Sequence, residues 1–480
     1  MIMRKMIPFL MFFLLISGCT PLKQDTLIKW VVSDNMFMNS NEKIEYGKPI
    51  KNQYVDAYNQ TLKEKGYAFQ IEVVYYDSSK YDQSVSHEDL IKEIERDFPD
   101  ADVVNFYMSA IDHYEVLDEY FKSSLGEKLR SEIPENVLQY NKINGSIYGI
   151  EKNTFKYATS AYSFLPEYYN RHKQEIEKYK DDPILLLKKL SVYKDWNTKE
   201  ILTYPQGFNL YTLLEQQYQS IQLDEDDSGL FIRRSDKKIV SIFDDPQIKD
   251  TILLLAKLGQ QNAYGGQLSS TDLNTISQER KFSMITIPYE YPEELYEKYK
   301  SDDERILIRY GREKLLQSAK LSILKTSKNK QEAFESIALM NTDRECANAM
   351  IYGESIKDSN EIICCETSMP GGNWNSYGNY LIANQTENEP NNKKELAFEY
   401  ANRVDISKQI SPYFQFQDKK DTVEQLIEIY TSQISNICIN EKGEDENSIK
   451  KQLDKLESQF KQFKLDELIS FFQNQIDSRN

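Results

Sequence analysis

The sequence predicts an α/β lobe built on a largely parallel sheet, with a helical hairpin at the carboxyl end of the chain. Two observations carry this. Near the N-terminus, period-two and period-3.6 patterns alternate in the order β-α-β-α-β. Over the last 60 or so residues strand patterning gives way to two apolar stripes at helical spacing. The length of 480 residues leaves room for two large lobes or about three domains.

The elements follow in order. Leu27 to Val32 is an apolar run that reads as a buried strand, and Ser33-Asp34-Asn35 is a polar loop after it. Pro49 suits the first position of a helix, with Ile50, Tyr54, Tyr58 and Leu62 on one face and Gly66 as its stop. Phe69, Ile71 and Val73 alternate with Gln70 and Glu72 in a second strand. Leu90, Ile91 and Ile94 mark a helix over 87–97, and Ala101 to Phe106 is a third strand. Residues 112–140 read as helical and polar, and 155–275 as short aromatic strands mixed with helices. Asp245-Pro246 opens a helix carrying Ile248, Ile252, Leu255 and Leu258, with Gly259 to end it. Phe282–Ile287 and Lys320–Leu324 read as strands, and Gln331–Met340 as a helix. In the tail, Asp421 and Glu424 resemble a capping box. Val423, Leu426, Ile427, Tyr430 and Ile434 then share a face. After an acidic break at Glu441–Asn447 come Ile449, Leu453, Leu456, Phe460 and Phe463.

Composition narrows the function classes. A formal charge of -17 disfavours nucleic acid as a partner, because phosphate contacts need clustered Lys and Arg. The 33 Tyr against 3 Trp supply flat platforms with polar edges, usable in a core or at a ligand. No G-x-G-x-x-G or P-loop follows a strand, no G-x-S-x-G or H-E-x-x-H is present, and no Cys/His spacing suggests zinc. No cofactor and no metal are expected. His87, His113 and His172 sit among polar neighbours, so surface residence is expected for each. Cys346, Cys364, Cys365 and Cys438 are expected as disulfides or as buried thiols.

The N-terminus combines Arg4 and Lys5 with an apolar run from Ile7 to Ile16 and small residues before Cys19. That run is shorter than the roughly 20 residues of a membrane span, so it reads as a secretory leader over 1–18. Leu15-Ile16-Ser17-Gly18-Cys19 resembles a bacterial lipobox. The resemblance implies lipidation of Cys19, a tether over 19–26, and an anchored protein on the extracytoplasmic face of the cell membrane.

Three further segments resemble the family 1 extracellular solute-binding proteins of ABC importers. Asn141-Lys142-Ile143-Asn144-Gly145-Ser146-Ile147-Tyr148-Gly149-Ile150 is similar to the strand that crosses between the lobes, with Glu151 where Pro is usual. Leu321 to Phe334 is similar to a strand-to-helix run of the family, with Lys330 replacing Pro. Asn341-Thr342-Asp343, Ile351-Tyr352-Gly353-Glu354 and the segment 372–403 look like a lipoprotein subgroup that carries an extra C-terminal helical domain. The resemblance implies a periplasmic-binding-protein-like fold, two α/β lobes joined by a hinge of several crossings. Lobe I would be 27–112 and 281–322, lobe II 113–280 and 323–403, and the helical domain 404–480.

It further implies a monomer that is no enzyme. Such a protein captures a carbohydrate, expected to be an oligosaccharide, between the lobes and delivers it to an ABC transporter permease. Open alternatives are a surface-anchored glycoside hydrolase and a binder of peptide or another small solute on the same fold. Ligand contacts are expected from Asp34, Asn35 and Tyr107, at the carboxyl ends of strands where open α/β sheets bind ligands. Asn373, Trp374 and Tyr377 lie in a Gly- and Asn-rich loop that suits a cleft. Trp196 and Tyr264 are further candidates. Against these stand plainer roles: Asp34 as a cap and Trp374 as packing at a lobe edge.

Overall fold

The computed structural model describes residues 26–32, 47–49, 53–76, 86–152, 156–193, 200–201, 210–224, 226–261, 281–282, 284–289, 306–316, 319–353, 378–385, 391–406, 409, 413–440 and 442–478. Its strands, in chain order, are β1 (Thr26–Val32), β2 (Phe69–Tyr75), β3 (Ala101–Asn105), β4 (Ile150–Glu151), β5 (Tyr157–Phe164), β6 (Glu200–Ile201), β7 (Tyr218–Leu223), β8 (Asp226–Arg233), β9 (Lys238–Ser241), β10 (Lys281–Phe282), β11 (Met284–Tyr289), β12 (Ile306–Leu315) and β13 (Lys320–Ile323).

Lobe I is built on a sheet of order β2-β1-β3-β13-β4. β1 lies parallel to both β2 and β3, with Trp30 opposite Val73 on one side and Val103 on the other. This is the expected β-α-β-α-β unit. β13 then runs antiparallel to β3 and β4, so the sheet is mixed. Ile28, Trp30, Val73 and Val103 are buried because helices cover the sheet. The helix Gln53–Glu64 contributes Tyr58 and Leu62 to this core, and the helix Lys330–Thr342 contributes Phe334 and Ile337. The Tyr58 hydroxyl donates to the Ser336 carbonyl at 2.6 Å, tying those two helices together.

Lobe II centres on β5, which pairs antiparallel with β11 on one edge and β12 on the other. A second antiparallel sheet, β7-β8-β9, packs into the same core. The lobes are therefore divided differently from the expected boundaries. β11 and β12, within the segment assigned to lobe I, pair with β5. The helices Lys330–Thr342 and Arg344–Tyr352, within the segment assigned to lobe II, pack on lobe I. An apolar run does not say which sheet receives it. The chain crosses between β4 and β5 and again between β12 and β13. The two crossings bond each other: Lys152 N–H donates to the Ala319 carbonyl at 3.3 Å, and Leu316 N–H to the Lys156 carbonyl at 2.8 Å.

Several local expectations change. Pro49 forms an isolated bridge with Val74 instead of opening a helix, and the helix is described from Gln53. Residues 112–140 break into short pieces, Ser124–Ser131 and Glu135–Tyr140 with 3-10 turns before them. His172 is buried against Tyr168. In the tail no capping box forms: the helix starts at Lys420 with no side-chain cap. A single π turn at Tyr430–Ile434 interrupts it before Ser435–Ile439. The hairpin's second arm is Glu446–Lys461, and a further helix, Leu465–Asp477, follows it.

Gly259 does not end its helix, which runs Pro246–Gln260 with Asp245 as cap, accepting from Gln247 N–H at 3.0 Å. Its role is contact: a Cβ there would lie 2.1 Å from the Ile439 carbonyl oxygen of the tail. Gly259→Ala gains helix propensity of up to about 1 kcal/mol but forces two backbones apart at a cost of about 1–3 kcal/mol. A lowered Tm in calorimetry is the expected outcome. A raised Tm would mean that the tail does not press on this helix.

Candidate functional site

The crossings carry an unusual buried polar group. Lys156, at the start of β5, pairs with Glu151 at 2.9 Å, and Lys320 approaches the same carboxylate at 3.6 Å. The Lys320 ammonium also donates to the Tyr413 hydroxyl and lies 4.3 Å from that ring's centroid and 5.2 Å from that of Phe106. Burial pulls the Lys320 pKa down to about 8, with Glu151 opposing and Lys156 adding to the fall. Burial, then Lys156, brings Lys152 down to about 7. Lysines are rarely placed so far from water without a task there.

Beside this group the two lobes face each other through aromatic and cationic side chains. Tyr140 ends the helix Glu135–Tyr140, Tyr211 lies on the helix Leu210–Leu214, and Arg234 follows β8. All three keep some exposed surface, yet they sit deep. Burial pushes the Tyr140 hydroxyl well above the ordinary tyrosine value and Tyr211 up to about 12, and lowers the Arg234 guanidinium. Tyr140 feels Tyr211 and Arg234, Arg234 feels both tyrosines, and Tyr211 feels Arg234. Arg234 is fixed by bonds to the Glu215 carbonyl at 3.0 Å and the Tyr218 carbonyl at 3.2 Å. Glu215 in turn accepts from Ser160 and from Lys314 at 2.7 Å. Side chains this deep that still meet solvent can line a cleft. Aromatic faces beside fixed polar groups can stack a ring and bond hydroxyls. Nothing in the sequence around Tyr140 or Tyr211 singles them out; only the fold brings them together.

At the other side of lobe I, Tyr107 follows β3 at the carboxyl edge of the sheet. Its backbone N–H donates to the Tyr114 hydroxyl at 3.0 Å, and its ring stacks on His87 with centroids 4.0 Å apart and planes 8° from parallel. His87 Nδ1 lies 2.8 Å from Asp224 in the β7–β8 turn of lobe II. Tyr107 is thus the one expected ligand residue that the described residues place, and it stands where the lobes meet. Asp34, Asn35, Trp196, Tyr264, Asn373, Trp374 and Tyr377 lie outside the described residues, as do Cys19, Cys364 and Cys365. Cys346 and Cys438 are buried free thiols, and burial pushes Cys438 up to about 12. Among the described residues no group of His, Cys, Asp and Glu is arranged to hold a metal ion, and no helix is long and apolar enough to cross a membrane.

The motifs behind the family resemblance have structural jobs. Asn144 and Gly145 take positive φ, 51° and 84°, in the turn that lets Ile143 bond Ser146 before β4. Ser327 and Asn329 donate to the buried Asp102 at 2.6 and 3.3 Å, pinning the β13-to-helix connection to β3. Asp343 caps the helix Arg344–Tyr352 through Cys346 N–H at 3.1 Å and pairs with Lys65 at 3.0 Å. Gly353 closes that helix with φ 70°, where only a side chain-free residue fits beside Gln53.

No family model matches the chain, and no curated protein matches it. Solved structures do. The N-glycan transport solute-binding protein NgtS of Streptococcus pneumoniae superposes with a TM-score of 0.64 at 16% identity, over 94% of this chain and 98% of that one. The same protein in complex with Man1GlcNAc gives 0.62 at 16% identity, over 94% and 99%. This chain has the fold of the family 1 solute-binding proteins of ABC importers. An HMO-binding solute-binding protein associated with an ABC transporter, from Bifidobacterium longum infantis, gives 0.57 at 11% identity over 94% and 99%. The likeness to these solute-binding proteins spans nearly the whole of each chain. At such identities it extends to the architecture and leaves the lining of the cleft to be read from this chain's own residues.

Proposed function

We propose that this solute-binding-protein chain captures a carbohydrate, an oligosaccharide, between its lobes and delivers it to an ABC transporter permease. It does so as a monomer held to the membrane through lipidated Cys19. The observation that carries this is the close grouping of the deep Tyr140, Tyr211 and Arg234 side chains. It sits in a fold whose superposing neighbours are named as N-glycan transport and HMO-binding proteins. Tyr107 and the loop of Asn373, Trp374 and Tyr377 are proposed as further contacts, with Asp34, Asn35, Trp196 and Tyr264 completing the set. The Tyr faces stack sugar rings, and Arg234 bonds hydroxyls from a position fixed by backbone carbonyls. A sugar touching both lobes favours the closed form by its difference in affinity for closed over open. Closure then exposes the surface that the permease reads.

Thermal shift against a panel of N-glycan fragments and milk oligosaccharides tests the proposal. A true ligand at a hundredfold excess over Kd adds about 2.7 kcal/mol to stability and raises Tm. Tyr211→Ala and Trp374→Ala each lower the affinity about tenfold or more by calorimetric titration, with the unliganded Tm of Trp374→Ala unchanged. A panel without any shift sinks the carbohydrate assignment. Unchanged affinity in a variant removes that residue from the site.

A further inference from the structure

The Asp224 carboxylate belongs to lobe II, in the β7–β8 turn, yet its recorded donors come from lobe I. Ser109 N–H donates to Oδ1 at 3.2 Å, Ser109 Oγ donates to Oδ2 at 2.8 Å, and His87 Nδ1 lies 2.8 Å from Oδ2. The carboxylate is 6% exposed. It stands on a backbone with φ 57°, a left-handed conformation that Asp tolerates at a tight turn. A buried carboxylate bonded across an interface exchanges those bonds for water when the interface opens, so the strength of the bonds bears on closure. His87 is the titratable partner. Tyr107 stacked on its ring holds the imidazole flat at the cleft edge.

We propose that His87 and Asp224 form a proton-operated latch between the lobes, holding them shut when His87 carries its charge and loosening them when it does not. This rests on the solute-capture reading for its purpose, but not for its measurement.

The surroundings favour the charged imidazole. From lobe II, Asp224 and Asp226 face it, and from its own helix the neighbouring Glu88 and Asp89. The opposing cations are Lys420 of the tail and Lys92, and both are engaged: Lys420 bonds Glu88, and Lys92 pairs with Glu88 at 2.7 Å. Glu424, from the tail helix, adds further negative charge near Lys420. Burial opposes ionisation of Asp224, but hydrogen bonding and charge from His87, and then Ser109, hold its pKa below the usual carboxylate value. Asp224 therefore stays ionised across the physiological range. His87 is therefore the partner whose protonation sets the response: the charged pair is lost as rising pH takes the proton from the imidazole. A neutral imidazole still donates one hydrogen bond, so the latch weakens and does not vanish.

The Ser109 amide reports on the latch directly, because its hydrogen is bonded to Asp224. Hydrogen exchange of the peptide around Ser109, in full-length protein without sugar and corrected for intrinsic rates, is expected to lose protection about five- to tenfold between pH 6 and pH 8.5. Over the same range the radius of gyration from X-ray scattering increases. His87→Gln, which keeps a donor but does not titrate, shows the same protection and the same radius at both pH values. Amides of β1 serve as the folding control, and Ser109→Ala replaces the histidine variant if that one loses β1 protection. In Ser109→Ala the pH response of the radius persists with a larger starting value. Equal wild-type protection at the two pH values overturns the latch. So does a pH response that survives in His87→Gln, or a change in exchange with a fixed radius. No sugar enters the measurement, so a failed glycan panel and a failed latch are separate results.

Discussion

A chain ending at Arg403 does not fold its second lobe. The tail's apolar stripes enter the same core as β5, β7 and β8: Phe414, Val423, Leu426, Leu456, Phe460 and Phe472 are buried with Phe164, Phe231 and Ile252. Phe460 meets Phe243 edge to face at 5.0 Å. Gly229, at φ 77° in β8, leaves room for it, since a Cβ there would lie 3.0 Å from Tyr430 and 3.1 Å from Phe460. Removing the Phe460 ring alone costs about 3–5 kcal/mol. The whole stability of a protein of this kind is about 5–15 kcal/mol, so losing six such side chains exceeds it. Phe460→Ala is therefore expected to stay folded with a Tm lowered by several degrees, and the truncated chain to lose tertiary structure in lobe II. Limited proteolysis separates the outcomes: lobe II is cut between β5 and β12 while the β1–β3 core survives. A truncated chain with wild-type Tm would make the tail an independent arm and free it for docking.

That the tail packs follows from its sequence, because two amphipathic stripes must cover something. A cap on lobe II is the favoured reading over a docking arm, and the shared core is that of lobe II. Beyond the hairpin the helix Leu465–Asp477 adds a third stripe, in which Leu465, Leu468, Phe472 and Ile476 share a face and are buried. The β-α-β-α-β unit of lobe I was legible as an order of elements, since its strands and helices alternate along the chain; the antiparallel β13 was not. Nor was lobe II. β5 pairs with strands well over a hundred residues downstream, and no local signal carries that pairing. The site shows the same split. Tyr107 is a candidate from sequence because a general rule places ligands at strand ends. Tyr140, Tyr211, Arg234 and Asp224 are not, because each is ordinary in its own segment and acquires meaning only from a neighbour far away in sequence. His87 and His172 look alike in sequence, and one bridges the lobes while the other is buried against Tyr168.

Lys320→Met is expected to make the protein more stable at neutral pH, with an advantage that shrinks as the solution becomes alkaline. In the folded chain burial holds the Lys320 pKa near 8 against 10.5 for the free group. Below pH 8 the lysine is charged in both states, and its full desolvation cost opposes folding. Between about 8 and 10.5 the unfolded chain binds the extra proton, so wild-type stability rises with pH through that window. The gap is worth about 3 kcal/mol at most. Loss of the bond to Tyr413 and of the attraction to Glu151 takes back about 1–2 kcal/mol. Glu151 keeps Lys156 at 2.9 Å, so no carboxylate is stranded. Chemical denaturation of both proteins at pH 7, 8.5 and 9.5 gives the difference curve. A variant less stable than wild type at pH 7, by the same amount at every pH, would mean that Lys320 is a satisfied member of a buried ion pair. A variant that is more stable but binds sugar more weakly would mean the reverse. The charge then opposes folding and is kept for the ligand, at the point where the chain crosses between lobes and closure must act.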